Sequence, residues 1–279
     1  MKTACIQMKT VADNDENIAV ACRYIAEAAS HHADVVVLPE MFSCPYKASN
    51  FPVYAQEDGG KNWVRLSEAA KENKVYLVAG TMPERDGEKI FNTAYVFDRN
   101  GNQIAKHRKA HLFDCNLPGV HFFESDSLNA GNAVTTFQTE FGTMGIMVCF
   151  DIRFPLMATV MQMRGAKAIF VPAAFNMTSG PNWWELMFRT RAADNQLFMI
   201  GAAPARDEKA SYVAYGNSIV VSPWGKVIAR LDEKESVLYA DIDFSEEEKL
   251  RDWYHIICAE RPELYELIDK TNDMCGGTK

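Results

Sequence analysis

The run Val35-Val-Val-Leu38 leaves neither side of a strand polar. Such a strand needs cover on both faces, which a sheet with one wet face does not give. The stretch 15–30, DENIAVACRYIAEAAS, precedes it. Ile18, Cys22, Ile25 and Ala29 share one face of that stretch at helical spacing. A second helix is predicted over 61–73, then a strand over Val75–Ala79. A hairpin follows, Thr93–Phe97 against Gln103–Ala105, turned by the Asn-Gly of Asp98-Arg-Asn-Gly101. Strands are expected at Thr3–Met8, Val134–Phe137, Gly145–Cys149, Ala168–Val171, Phe198–Ala203, Ser218–Val221 and Val237–Ile242. Helices are expected from Pro155 to Arg164 and over 181–195. Ser222-Pro-Trp-Gly225 reads as a turn, and Ser245-Glu-Glu-Glu248 as a capping box opening a helical tail over about 245–279. Strands alternating with helices, plus hairpins, define a layered α/β fold. With no repeat and no linker, residues 1–279 are expected to form a single domain.

Composition narrows the function. The 279 residues carry a net charge of −8, and Lys and Arg form no long run. An acidic chain does not suit nucleic acid, and a basic membrane patch is missing. No apolar run approaches the roughly 18 residues that a membrane-spanning helix needs. The N-terminus, MKTACIQMKT, has no secretory core. A cytoplasmic protein is expected. Seven scattered cysteines (5, 22, 44, 115, 149, 258 and 275) suit free thiols better than a disulfide framework. No C-x-x-C or H-E-x-x-H occurs, so no metal site is expected.

Three polar residues follow apolar runs. Glu40 ends Val35-Val-Val-Leu-Pro-Glu40, Lys109 lies in Lys106-His-Arg-Lys-Ala-His-Leu-Phe-Asp114, and Cys149 ends Gly145-Ile-Met-Val-Cys149. Each has a plain reading: a solvated loop acid, a solvated charge run, a core thiol. Together they suit one task. A thiolate attacking an amide needs a base that can also serve the leaving nitrogen, and a carboxylate can do both. The tetrahedral oxyanion needs fixed donors, and an ammonium with a backbone N–H suffices. A helix starting near Pro155 would lower the Cys149 pKa through its dipole. A Cys–His pairing with His107, His111 or His121 as base is the competing enzyme reading, and a catalytically inert interaction module the non-enzymatic one.

The stretches Leu38-Pro-Glu40, Arg108-Lys109 and Val148-Cys-Phe-Asp-Ile-Arg153 resemble the Glu, Lys and Cys motifs of the nitrilase (carbon–nitrogen hydrolase) superfamily. The likeness runs to about Tyr265. Within that superfamily the chain is most similar to the omega-amidases. This rests on Cys44-Pro-Tyr46, Lys109–Asp114 with Pro118-Gly119, Phe123-Glu-Ser125, Pro172–Asn176 with Gly180-Pro181, Arg189–Asn195 and Ser211–Gly216.

The resemblance implies a four-layer αββα sandwich, commonly dimeric, that uses no cofactor. It implies hydrolysis of the terminal amide of 2-oxoglutaramate and 2-oxosuccinamate through a cysteine thioester. It makes Cys149 the nucleophile, Glu40 the base, and Lys109 with the Phe150 N–H the oxyanion hole. Glu124 would position Lys109, Arg153 would hold a substrate carboxylate, and Tyr46 and Phe175 would wall the pocket. A surface acid at Glu124 and an Arg153–Asp151 ion pair are the alternatives. Trp183, Asn217 and Cys115-Asn116 depart from the family pattern, the first two at positions that could alter the pocket or a subunit contact, whereas Phe150 in place of the usual Tyr matters little if only its N–H is used. An N-carbamoyl or other small-amide hydrolase is the second reading within the superfamily.

Overall fold

The computed structural model describes residues 1–117, 120–259, 261 and 263–271. Pro118-Gly119, Cys275 and the end of the expected tail lie outside the described residues, as does the Cys258 side chain. The first half of the chain builds β1 (Lys2–Gln7), α1 (Asn14–Ser30), β2 (Val35–Val37), α2 (Phe51–Tyr54), β3 (Gln56–Glu57), α3 (Lys61–Asn73), β4 (Tyr76–Val78), β5 (Met82–Asp86), β6 (Lys89–Phe97) and β7 (Gln103–Arg108). A small hairpin follows, β8 (Asp114–Leu117) with β9 (Val120–Phe123). The second half builds β10 (Thr135–Thr139), β11 (Gly142–Ile146), α4 (Pro155–Met163), β12 (Ala168–Pro172), α5 (Gly180–Asn195), β13 (Phe198–Ala202), β14 (Ile219–Val221), β15 (Val227–Arg230), β16 (Ser236–Asp241) and α6 (Ser245–Trp253).

One sheet runs β16-β1-β2-β4-β6-β5-β3, with β7 also on β6. The other runs β10-β11-β12-β13-β14-β15. Alternation along each strand sorts the core. Ala4, Ile6, Val36 and Leu77 pack with Ile18, Ala21 and Ile25 of α1 and Leu66 and Ala70 of α3. Their neighbours Cys5, Val35, Val37 and Val78 join Ile146, Phe170 and Ile200 of the other sheet. Helices α4 and α5 add Met161, Trp184 and Phe188 to that second core. The order is helices, sheet, sheet, helices: the αββα sandwich. The all-valine β2 sits between two apolar layers, and each fully buried valine contributes roughly 1.5–3 kcal/mol.

Several expectations need correction. The buried stripe of α1 is Ile18, Ala21, Ile25 and Ala28, with Cys22 and Ala29 only half-buried. The capping box at Ser245 does not form, because Ser245 is already helical; the Asp243 carboxylate accepts the Ser245 N–H instead. Helix α6 ends at Trp253, and only one further helical turn, Ile257–Ala259, is found among the described residues beyond it. Strand β11 stops at Ile146, so Cys149 opens a 3₁₀ turn, Cys149–Arg153, rather than ending a strand. Strands β3, β5, β8, β9 and β15 had too little apolar pattern to be foreseen.

Two glycines hold the strand-end loops close. Gly80 has φ +48°, and a Cβ there would meet the Pro39 carbonyl at 2.3 Å. At Gly131 a Cβ would fall 2.1 Å from the Arg108 carbonyl, while the Gly131 N–H donates to the Lys109 carbonyl at 2.8 Å. Gly131→Ala is expected to cost about 1–3 kcal/mol, as overpacked sites do, and to reduce catalysis by displacing Lys109. Thermal unfolding and kcat together check this; an unchanged kcat would mean that the loop absorbs the methyl group elsewhere.

Candidate active site

Glu40 lies three residues beyond β2 and is 1% exposed. The Thr81 hydroxyl anchors its loop by accepting the Met41 N–H at 2.8 Å. Glu40 Oε1 accepts from Asn92 Nδ2 and from Lys109 Nζ, each at 2.9 Å. Its Oε2 accepts the Ala174 N–H at 2.9 Å. Lys109 follows β7 directly and is fully buried; its N–H donates to the Asn92 carbonyl at 2.8 Å. Glu124, also fully buried, opens the 3₁₀ turn after β9. It lies 2.9 Å from Lys109 Nζ and accepts the Phe113 N–H at 2.7 Å and the Tyr46 hydroxyl at 2.6 Å. Tyr46 also reaches Glu40, at 3.3 Å.

Two carboxylates thus share one ammonium where water is excluded. Burial lowers the Lys109 pKa, but Glu124 and Glu40 outweigh it and hold the group well above the usual lysine range. Burial raises Glu124, Lys109 opposes that, and Glu40 adds to it. Lys109 is an ammonium, and the surplus negative charge weighs on Glu124.

Cys149 has φ +46°, a left-handed conformation that costs a side-chain-bearing residue of order 1–3 kcal/mol. Burial and then the Glu40 charge push its thiol well above the ordinary range; Lys109 and the Ala174 N–H pull it down. The expected lowering by a helix dipole is overridden: desolvation dominates, and the resting thiol keeps its proton. The next N–H, that of Phe150, donates to no group among the described residues. It is free to meet an oxyanion.

Asp151 holds this turn. Its Oδ2 accepts the Val148 N–H at 3.0 Å and faces His107 Nε2 at 3.1 Å. Its Oδ1 accepts the His111 N–H at 2.9 Å and faces His111 Nδ1 at 2.8 Å. His107 and His111 stand two residues either side of Lys109, so one buried carboxylate ties the Lys109 segment to the Cys149 turn. His107 and His111 each turn a ring nitrogen to Asp151, and His121 is exposed against Asn116, so the Cys–His pairing finds no geometric support.

Arg153 does not pair with Asp151; among the described residues no carboxylate lies within 4 Å of it. Its guanidinium sits 4.2 Å from the Trp183 ring centre. Arg153, Trp183, Phe175, Phe150 and Cys149 line one cavity of about 20 Å³. A second cavity, about 220 Å³, is lined by Glu40, Tyr46, Asp207 and Ser211 among others. Among the described residues no three His, Cys, Asp or Glu side chains are grouped to hold a metal ion, and no helix is long and apolar enough to cross a membrane.

Glu40, Tyr46, Lys109, Glu124, Cys149, Phe150, Arg153 and Phe175 are therefore brought together here, while His121, Asn116 and Asn217 line neither cavity. Sequence reasoning missed Asn92, Ala174, the Asp151–histidine tie, and Tyr212, which lines both cavities. Asn92 had a signal, as a polar residue inside the apolar run of β6. The Ala174 N–H had none, since a backbone donor leaves no trace in residue type.

A buried thiol beside a carboxylate, an ammonium and a free N–H on an αββα sandwich is a set of groups suited to amide hydrolysis. The carbon-nitrogen hydrolase family profile matches residues 2–252. Omega-amidase NIT2 of Homo sapiens is 43% identical over 265 residues, 95% of this chain and 96% of that protein. The crystal structure of Saccharomyces cerevisiae Nit3, a member of branch 10 of the nitrilase superfamily, matches with a TM-score of 0.85 at 38% identity, covering 91% of this chain and 94% of that one. A mutant amidase from Nesterenkonia sp. AN1, with the acetamide moiety of fluoroacetamide added covalently at its active-site cysteine, matches with a TM-score of 0.79 at 25% identity, covering 95% of each chain. The chain belongs to the carbon–nitrogen hydrolase family of the nitrilase superfamily. It is an omega-amidase-like hydrolase of non-peptide amides.

Asp151→Asn is expected to cost about 3 kcal/mol at neutral pH, the scale of breaking a buried charged network. Contacts with His107 and His111 hold the Asp151 carboxyl well below the usual range despite its burial. A depressed carboxyl contributes stability above its unfolded pKa of about 4 and loses it as pH falls further. Urea unfolding of the two proteins should therefore converge below about pH 4; a gap independent of pH would contradict a charge-based role.

Proposed function

We propose that this protein hydrolyses the terminal amide of small dicarboxylic ω-amides, 2-oxoglutaramate and 2-oxosuccinamate among them, to the acid and ammonia. The observation that carries this reading is Arg153: a guanidinium without a carboxylate partner among the described residues, in the cavity that Cys149 lines. A guanidinium edge can hold a carboxylate through two hydrogen bonds.

The substrate lies with its acid end on Arg153 and its amide carbon at Cys149, with Phe175 as a wall, while Tyr46 lines the larger cavity on the Glu40 side. Glu40 takes the thiol proton as Sγ attacks the carbonyl carbon. The raised thiol pKa makes this base necessary. Lys109 and the Phe150 N–H receive the oxyanion; in acyl transfer one such donor contributes roughly 10²–10³ in kcat. Glu124 and Tyr46 hold Lys109 in place. Glu40 passes its proton to the nitrogen, the C–N bond breaks, ammonia leaves and a thioester remains. Water then attacks this carbon, giving a proton to Glu40. The C–S bond breaks, and the proton returns to Sγ.

We also read residues 1–279 as one catalytic domain that forms a homodimer in the cytoplasm. Exposed Leu156 and Met163 on α4, Leu186 on α5, and Trp253 and Tyr254 at the end of α6 offer apolar surface to a second copy. Cys5, Cys22, Cys44, Cys115 and Cys149 are free thiols, which suits a reducing compartment. Light scattering at two concentrations tests the dimer.

Cys149→Ala should lower ammonia release from 2-oxoglutaramate by roughly a thousandfold or more, the effect of removing a covalent nucleophile. Retained hydrolysis would defeat the thioester mechanism. Arg153→Met should raise KM for acid-bearing amides by about tenfold or more while sparing a neutral amide of equal length, since a buried charged hydrogen bond contributes about 1.5–3 kcal/mol. Equal losses on both would point to an N-carbamoyl or other small-amide substrate.

A further inference from the structure

The two cavities meet at this site but carry opposite charge. Cys149 lines the smaller one, where Arg153 is the only charged side chain among the described lining residues. Glu40 lines the larger one, whose described lining includes Asp207 and no Lys, Arg or His. Ala174 and Tyr212 line both and form the partition. Tyr212 is held there by donating its hydroxyl to the Ala174 carbonyl and by stacking on Tyr46, ring centres 4.5 Å apart.

An anionic substrate is favoured on the Arg153 side and repelled by Asp207 on the other, where Glu40 is already paired with Lys109 and no cation lines the cavity. Water, ammonia and ammonium face no such penalty there. Once the acyl group is on Cys149, its acid end takes the Arg153 side, where the empty cavity offers only about 20 Å³ and leaves no passage for water. The hydrolytic water must still reach Glu40, and ammonia must still leave. We propose that the larger cavity is a separate conduit that delivers water to Glu40 and discharges ammonia while the acyl group occupies the Arg153 side. This rests on the thioester reading above. In the step that it serves, ammonia formed by C–N cleavage departs past Asp207. One water enters, its oxygen bonds the acyl carbon, its proton goes to Glu40 and then to Sγ, and the C–S bond breaks.

Ala210 and Ser211 are exposed lining residues of the larger cavity, so enlarging them leaves the core intact. Ala210→Trp and Ser211→Phe should each lower kcat for 2-oxoglutaramate by about tenfold, because transit then limits turnover. Acylated enzyme should accumulate in intact-mass spectra taken at steady state. Alkylation of Cys149 by iodoacetate, whose carboxylate uses the Arg153 side, should keep its native rate. Unchanged turnover without acyl-enzyme in both variants overturns the conduit. So does slowed iodoacetate alkylation, or a raised KM without acyl-enzyme, because the larger cavity would then be the substrate's door. If the native enzyme forms no acyl-enzyme from any amide, the thioester reading itself fails, and that outcome is separate from the behaviour of the variants.

Discussion

The ammonium of Lys109, buried between Glu40 and Glu124, is the interaction on which the site depends. Removing one partner from such a group leaves an uncompensated charge and costs roughly 3–5 kcal/mol. Three loops must therefore end at one point: those after β2, β7 and β9. The close approaches at Gly80 and Gly131 and the Thr81 anchor hold them there. The ion triad is a stability problem for the fold and, by the same geometry, a fixed positive charge for chemistry.

The second sheet brings the thiol. Cys149 arrives on a strained turn, and Asp151 fastens that turn to His107 and His111 beside Lys109. The link crosses between the two sheets and fixes the thiol against the ammonium. Desolvation keeps the thiol protonated at rest, with the Glu40 carboxylate beside it. The same burial that silences the thiol strengthens every electrostatic contact around it.

Much of this was legible beforehand. Long periodic segments such as 61–73 and 181–195 matched helices closely, because amphipathic spacing reflects the buried face directly. The hairpin at Asn100-Gly101 followed from turn chemistry. Short strands such as β5 and β15 escaped notice, since they hold their place through register with a neighbour rather than through their own pattern. The capping box failed for a related reason: Asp243, two residues before Ser245, took over the cap, and which acceptor wins is decided by the path of the chain out of β16.

The sequence by itself determined the layered class and the family, and it singled out Glu40, Lys109 and Cys149 as one group, because residue type and spacing record chemistry and burial. Only the tertiary structure decided that Glu124 and Tyr46 close around Lys109, that Asp151 serves two histidines and leaves Arg153 free, and that the site opens into two cavities of opposite charge. Those are relations between distant segments, such as Glu40 and the Ala174 N–H, 134 residues apart. No local pattern encodes them, since they exist only once packing has excluded water and set the distances on which hydrogen bonds and charges act.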